Sequence, residues 1–140
     1  MLRYLLDTDT CIFVIRTRPL AVLERFRQHE GRLAISAISL AELLHGAERS
    51  ADPARNLRWV EDFRSRLDVL PYAEKAATHY GAIRAALERV GNVIGINDLH
   101  IAAQARSEGL TLVTNNLREF TRVPGLLVEN WKPQQDRPPP

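Results

Sequence analysis

Four acidic residues of this 140-residue chain lie near predicted secondary-structure boundaries, where side chains often carry chemistry. Asp7 follows an apolar run near the start, while Glu42, Asp98 and Glu119 belong to three later segments. Carboxylate oxygens are hard ligands that suit Mg²⁺ or Mn²⁺, whereas zinc favours cysteine and histidine. Acid clusters that hold such ions typically activate a water molecule and stabilise charge on a phosphoryl group. The acids therefore point to metal-assisted hydrolysis of a phosphate ester.

Short apolar runs that alternate with helical patterns predict the elements that must position these acids. The predicted strands are at residues 3–6, 33–35, 68–70 and 111–114, with a weaker fifth at 127–128. The stretches between them show helical periodicity. This alternation predicts an α/β fold with right-handed crossovers and a central, mostly parallel sheet of four to five strands.

The predicted elements bring all four acids to one edge of the sheet. Asp7 ends the first strand, and Glu119 follows the fourth. Glu42 and Asp98 each lie in the first turn of a predicted helix. Because ligands bind beyond the carboxyl ends of the strands in such sheets, we expect the acids to converge there, with Asp7 as a metal ligand placed by its strand.

Each acid also has a purely structural interpretation. Asp7 or Asp9 can cap the helix predicted through CIFVIR. Glu42 fits a capping box with Ser39, which would start that helix. Asp98 suits a helix N-terminus because of the helix dipole. Four acids together favour a functional site over separate structural roles. Carboxylates gathered in one place repel one another, and burial raises their pKa further unless a cation is present.

Other reactive residues suggest no competing site. Cys11 is the only cysteine and lies in an apolar helical pattern, which indicates a buried, inert thiol. His45 follows Glu42 at the spacing of di-iron helix bundles, but such sites need two copies and the chain has one. The sequence lacks the motifs G-x-G-x-x-G, Walker A and G-x-S-x-G, which argues against nucleotide-binding and serine-hydrolase functions.

Composition and charge are compatible with a nucleic-acid partner. Hydrophobic residues make up 45% of the chain and charged residues 26%. The apolar runs fall short of the roughly 20 residues of a membrane span, and no signal peptide is apparent, so we expect a cytoplasmic protein without a membrane partner. The pI is about 9.0, and Lys75 and Lys132 are the only lysines. Arginine suits bidentate phosphate contacts, although charge alone leaves the nucleic-acid interpretation open.

Several motifs together resemble those of one known family. They are LLDTDTCI around Asp7, ISLAELLHGA around Glu42, IGINDLHIAAQA around Asp98, and LVTNNLREF with VPGLLVENW at the end. In this order and at this length, the chain resembles the PIN-domain ribonucleases, and most of all the VapC toxins of bacterial toxin–antitoxin pairs. The resemblance covers residues 1–131, a single nuclease domain. Residues 132–140 are polar and proline-rich, which predicts a disordered tail.

The resemblance implies a PIN-like three-layer α/β/α sandwich, an endoribonuclease that depends on Mg²⁺ or Mn²⁺, and a homodimer neutralised by a small antitoxin. By position it assigns the site to the acids Asp7, Glu42, Asp98 and Glu119, supported by Ser39, Thr114 and Asn116. Asp7 and Asp98 are expected to hold the metal, while Glu42 and Glu119 orient or deprotonate the attacking water. Glu119 is one methylene longer than the usual aspartate, so we expect it to reach the metal through water.

The resemblance also suggests a substrate. The N-terminal motif is most similar to VapC toxins that cut initiator tRNA in its anticodon region, so tRNA is the expected RNA. The arginines in the first two predicted helices are candidates for phosphate contacts, with a solvated helix face as the alternative: Arg16, Arg18, Arg25 and Arg27.

Three other functions remain open from the sequence. A receiver-like signalling module also has acids at a strand end, but it needs a lysine beyond its central strand, and Lys75 and Lys132 are misplaced for that role. The same fold and metal could serve a structure-specific DNA nuclease. A non-enzymatic member could bind only RNA or a partner, although the presence of all four acids argues against it.

Overall fold

The computed structural model describes residues 1–133. Most of the predicted tail, residues 134–140, lies outside the described residues. Five strands form one sheet with the order β3-β2-β1-β4-β5, and every neighbouring pair is parallel. The strands are β1 (Tyr4–Leu6), β2 (Leu33–Ser36), β3 (Asp68–Leu70), β4 (Thr111–Val113) and β5 (Val128–Glu129). The predicted parallel sheet is thus confirmed.

Seven helices connect the strands of the described part of the chain. They are α1 (Thr8–Thr17), α2 (Leu20–Gln28), α3 (Ala37–Glu48), α4 (Pro53–Arg64), α5 (Glu74–Arg89), α6 (Ile96–Glu108) and α7 (Leu117–Phe120). Asp52 caps α4 by accepting a hydrogen bond from the N–H of Arg55, and Pro53 opens the helix. In the described residues, no helix has the length and apolar character needed to cross a bilayer.

Two hydrophobic cores, one on each face of the sheet, establish the three layers. In β1, Tyr4 and Leu6 point into a core with α1 to α4, while Leu5 points into a core with α5 and α6. Side chains that alternate between the faces of a strand bury both faces, which is why the strands are apolar throughout. The expected α/β/α sandwich is confirmed.

The topology places the end of β1 at the centre of the ligand-binding edge. The chain leaves β1 to build β2 and β3 on one side, and later β4 and β5 on the other. The strand order therefore reverses at β1, and crevices at such switch points are where open α/β sheets bind ligands. The backbone N–H of Asp7 donates to the carbonyl of Val113, which ties the first residue after β1 to the end of β4.

Candidate active site

Asp7 lies at the centre of the site and is 2% exposed. Its Oδ1 accepts a 2.9 Å hydrogen bond from the N–H of Thr10, which makes Asp7 the N-cap of α1. Its Oδ2 accepts a 2.5 Å hydrogen bond from Oγ1 of Thr114, which directly follows β4. Burial raises the pKa of this carboxyl group, although the hydrogen bonds from Thr114 and Thr10 oppose the rise. Asp7 therefore caps a helix and also presents a desolvated carboxylate at the switch point.

Glu42 is joined to the first turn of α1 through Thr8. Oγ1 of Thr8 lies 2.8 Å from Oε1 of Glu42 and 3.0 Å from Oγ of Ser39. A carboxylate only accepts, so the single Thr8 hydroxyl proton is donated to Glu42, and Ser39 is left to donate to Thr8. This buried chain of hydroxyl groups fixes one oxygen of Glu42.

The capping-box alternative for Glu42 is wrong. Helix α3 begins at Ala37, and its N-cap is Ser36, whose Oγ accepts a 3.0 Å hydrogen bond from the N–H of Ile38. Ser39 is inside the helix and fully buried. The sequence offers two serines three residues apart, and the end of β2 at Ser36 decides which one caps.

Asp98 and Glu119 form a second pair of acids, at the N-terminus of α6. Oε1 of Glu119 accepts a 3.2 Å hydrogen bond from the N–H of Gly95, the N-cap of α6, and Oε2 accepts a short hydrogen bond from the side-chain amide of Asn116. Asp98 lies in the first turn of α6, close enough to Glu119 for the charge of Glu119 to raise its pKa. Asn116, expected from the resemblance to support the site, thus contacts Glu119.

The acids influence one another electrostatically. Burial, the negative charge of Glu119 and a hydrogen bond with Glu119 raise the pKa of Asp98 to about 7, with smaller contributions from the charges of Asp7 and Asp9. Burial and the neighbouring negative charges thus disfavour the ionised form of Asp98, whereas a nearby cation would favour it. Asp7, Asp98 and Glu119 therefore belong to one electrostatic cluster, and Thr8 links Glu42 to its edge.

The donor chemistry of this cluster fits Mg²⁺ or Mn²⁺, but the acids do not form a closed cage. Among residues 1–133, no group of three His, Cys, Asp or Glu side chains is arranged so that it could hold a metal ion. Mg²⁺ commonly binds to one or two carboxylates and keeps water or substrate phosphate in its other positions. The pair Asp7 and Asp98 fits such an open site.

The four arginines predicted to contact RNA lie in different surroundings. Arg16 lines a cleft that opens from the acidic site, and Arg18 lines a smaller cavity. Arg25 lies over the ring of Trp131, and Arg27 pairs with Glu24. Only Arg16 of these four lines the cleft that also contains Glu42.

Sequence reasoning missed Thr8 and the cleft beside Glu42. Thr8 is buried although both of its sequence neighbours are aspartates. Because those neighbours are charged, the sequence carries no sign that Thr8 contacts α3. The cleft depends on the packing of α1, α3 and α4, for which the sequence carries no local signal. The expected burial of Cys11 is confirmed, and burial raises its thiol pKa well above the usual range.

Comparison with known proteins identifies the family. The PIN domain family matches residues 4–126. The chain is 56% identical to the ribonuclease VapC2 of Haemophilus influenzae and 53% identical to the tRNA(fMet)-specific endonuclease VapC of Shigella flexneri, and each match covers 94% of this chain and 99% of the relative. This chain belongs to the VapC ribonucleases of the PIN-domain family. It also superposes with a TM-score of 0.93 on a chain in the crystal structure of DNA-bound VapBC from Salmonella typhimurium, at 52% identity, covering 94% of this chain and all of that one.

Proposed function

We propose that this chain is the toxin of a toxin–antitoxin pair, an endoribonuclease that depends on Mg²⁺ or Mn²⁺ and cuts tRNA in its anticodon region. The observation that carries the proposal is the convergence of acids at the switch point of the sheet, where Thr114 holds Asp7 and the charges of Glu119 and Asp7 act on Asp98. The tRNA substrate is supported by a relative named as a tRNA(fMet)-specific endonuclease at 53% identity.

Asp7 and Asp98 are the residues that hold the metal in this proposal. When bound, the ion supplies Lewis-acid polarisation of the scissile phosphate and lowers the pKa of bound water. Asp7 contributes a carboxylate whose position is set by hydrogen bonds from Thr10 and Thr114. Asp98 contributes a second carboxylate, which must lose the proton that its raised pKa favours before it can bind a cation.

Glu42 and Glu119 have different roles in this proposal because they contact different parts of the fold. Glu119 accepts hydrogen bonds from the N–H of Gly95, the N-cap of α6, and from Asn116, so it holds the start of α6, which carries Asp98, at the site. Glu42 receives one hydrogen bond, from Thr8, on Oε1. Its Oε2 is therefore the oxygen that can take a proton from the attacking water.

A small antitoxin, a second copy of the chain and the cytoplasm complete the proposal. The antitoxin is supported by the similarity to a chain solved in a VapBC complex. A homodimer is supported by exposed apolar side chains at the connection between α5 and α6: Val90, Val93 and Ile96 are 71%, 46% and 58% exposed. Action in the cytoplasm follows from the tRNA substrate.

The decisive experiment is incubation of the purified protein with total tRNA and Mn²⁺, with and without EDTA, followed by sequencing of the new ends. We expect one dominant cut in the anticodon loop of initiator tRNA, which EDTA abolishes. Asp7→Asn should remove the activity and keep the fold, because asparagine caps helices as well as aspartate does. Persistent cleavage by Asp7→Asn, or in EDTA, would contradict the mechanism. Cleavage of branched DNA in preference to RNA would favour the DNA nuclease alternative.

A further inference from the structure

A cleft of about 590 Å³ opens from the acidic site between α1, α3 and α4. Thr8 and Glu42 line it at the acidic end, and Ser50, Asn56 and Trp59 line it beyond the end of α3. Ser50 follows the last residue of α3, Glu48, by two positions, so the cleft extends from Glu42 to the far end of that helix. The volume lies within the range of pockets that hold small organic ligands, so one nucleotide fits.

Trp59 provides an aromatic wall for this cleft. It is half-buried and also lines a second, smaller cavity of about 90 Å³. The guanidinium of Arg55 lies over the indole ring, 4.4 Å from its centroid, which holds the ring in place. Unpaired RNA bases are commonly bound by stacking on aromatic side chains of this kind.

Asn56 provides an oriented hydrogen-bond acceptor beside Trp59. Its Nδ2 donates a 2.7 Å hydrogen bond to Oγ of Ser50, which in turn donates a 2.6 Å hydrogen bond to the carbonyl of Ala47. These contacts fix which end of the amide faces the protein. The carboxamide oxygen of Asn56 is left to accept from an N–H group on a base edge.

Charged residues of both signs line the cleft, with Asp9 and Glu42 among them. Arg16 and Arg49 line it, are exposed, and form no salt bridge with any of the described side chains. Arginine suits contacts to phosphate oxygens. An aromatic wall, an oriented acceptor and unpaired arginines in one cleft match the chemistry of single-stranded RNA better than that of a peptide side chain.

We propose that this cleft is a nucleotide subsite, in which an unpaired base adjacent to the scissile phosphate stacks on Trp59. Asn56 accepts a hydrogen bond from that base, and Arg16 and Arg49 contact the neighbouring phosphates. The inference rests on the proposed ribonuclease function and adds to it a position at which sequence is read. It makes Trp59 and Asn56 specificity-determining residues.

The test measures binding of a synthetic anticodon stem–loop of initiator tRNA by tryptophan fluorescence. A protein with Asp98→Asn and Trp131→Phe has lost a metal ligand, so it should not cleave, and it retains Trp59 as its only tryptophan. We expect the stem–loop to quench the emission of Trp59. Stem–loops with one abasic nucleotide at each loop position in turn should identify a single position, next to the cleavage site, at which the quenching is lost.

A double-mutant cycle then tests whether the base and Trp59 interact, with affinities measured by the fluorescence anisotropy of a dye-labelled stem–loop, which needs no tryptophan. We expect Trp59→Leu to weaken binding of the intact stem–loop roughly tenfold, and Trp59→Phe to restore most of the affinity. The same abasic position should weaken binding to the protein with Trp59, yet have little further effect in Trp59→Leu. Arg16→Gln should also weaken binding, whereas Arg27→Gln on α2, which is equally exposed, should not.

Two outcomes would overturn the subsite. One is that the loss of affinity caused by Trp59→Leu simply adds to the loss caused by each abasic substitution, with no coupling at any loop position. The other is that Trp59→Leu leaves RNA affinity unchanged but weakens inhibition by a co-expressed antitoxin, which would make the cleft a protein-docking site. Either result is compatible with normal RNA cleavage by the wild type, so failure of the subsite differs from failure of the proposed ribonuclease function, in which the wild type cuts no RNA.

Discussion

The side chain of Glu119 caps helix α6 across 24 residues of sequence, because its Oε1 accepts a 3.2 Å hydrogen bond from the N–H of Gly95. Gly95 has no side chain with which to cap the helix itself. A negative charge at this end of α6 is also favoured by the helix dipole. The same contact brings Glu119 close to Asp98, so the arrangement that stabilises α6 also raises the pKa of the Asp98 carboxyl group.

The first prediction concerns how the stability of the metal-free protein depends on pH. Asp98 has a pKa of about 7 in the folded chain, against 3.8 for an ordinary aspartate. Between these values the folded state holds a proton that the unfolded state has lost, so this group makes the free energy of unfolding fall as pH rises from about 4 to 7. Asp98→Asn should remove that contribution, and urea unfolding in EDTA measures it.

Comparing the free energies of unfolding of the wild type and Asp98→Asn separates the contribution of Asp98 from those of other titrating groups. Below about pH 4 the side chain at position 98 is neutral in both the wild type and the variant, so their stabilities should differ little. Above pH 7 the variant should be the more stable. Because burial lowers the pKa of His100, its contribution has the opposite sign in the same window, and only the difference between the proteins isolates Asp98. A difference in stability between the wild type and Asp98→Asn that does not change with pH would show that the pKa of Asp98 is not raised in the folded protein.

Metal binding should stabilise the folded protein. A divalent ion relieves the repulsion among Asp7, Asp98 and Glu119, and a ligand at a hundredfold excess over its Kd adds about 2.7 kcal/mol to the free energy of unfolding. For a chain of this size, that corresponds to a rise in Tm of about 10 °C. Thermal unfolding across a Mn²⁺ titration at pH 7.5 checks it. Asp98→Asn should lose most of the response, and equal responses in both proteins would exclude Asp98 as a ligand.

A change at Glu119 should shift the pH dependence of RNA cleavage. Glu119→Gln keeps an oxygen for the N–H of Gly95 but removes the charge that raises the pKa of Asp98. Asp98 should then ionise at lower pH, so the rising limb of the pH–rate profile moves to lower pH. The measurement is the rate at a fixed, sub-saturating Mn²⁺ concentration, with Glu74→Gln on the exposed start of α5 as the control. A profile that stays in place would contradict the coupling of the two acids.

Strands, layers and the edge that carries the acids could be predicted from the sequence because they depend on local patterns. The run that ends at Asp7 has the apolar character that a doubly covered parallel strand requires, and the order of the elements places its end among the other acids. Each of these inferences uses short-range information. The choice of Ser36 over Ser39 as the cap of α3 does not, because it depends on where β2 ends.

The contacts that position the acids could not be predicted, because they join distant segments. Gly95 and Glu119 meet only when the turn after β4 packs against the start of α6, and Thr8 meets Glu42 only when α1 packs against α3. Trp59 directly precedes the core residue Val60, yet it lines two cavities. Single side chains of this kind gain their role from the packing of whole helices, which no pattern within one segment encodes.

Thr8→Val should reduce catalysis much more than stability. The substitution keeps the shape of the side chain and removes the proton that Thr8 donates to Oε1 of Glu42, so the carboxylate loses its fixed orientation. Since a misplacement of about 1 Å can cost roughly a hundredfold in rate, we expect kcat to fall by roughly ten- to a hundredfold, with KM for the RNA little changed. The loss of buried hydrogen bonds should reduce the free energy of unfolding by about 1 kcal/mol. Thr8→Ser retains the hydroxyl group and should recover most of the rate, whereas a Thr8→Val enzyme with wild-type kcat would show that Thr8 does not position Glu42.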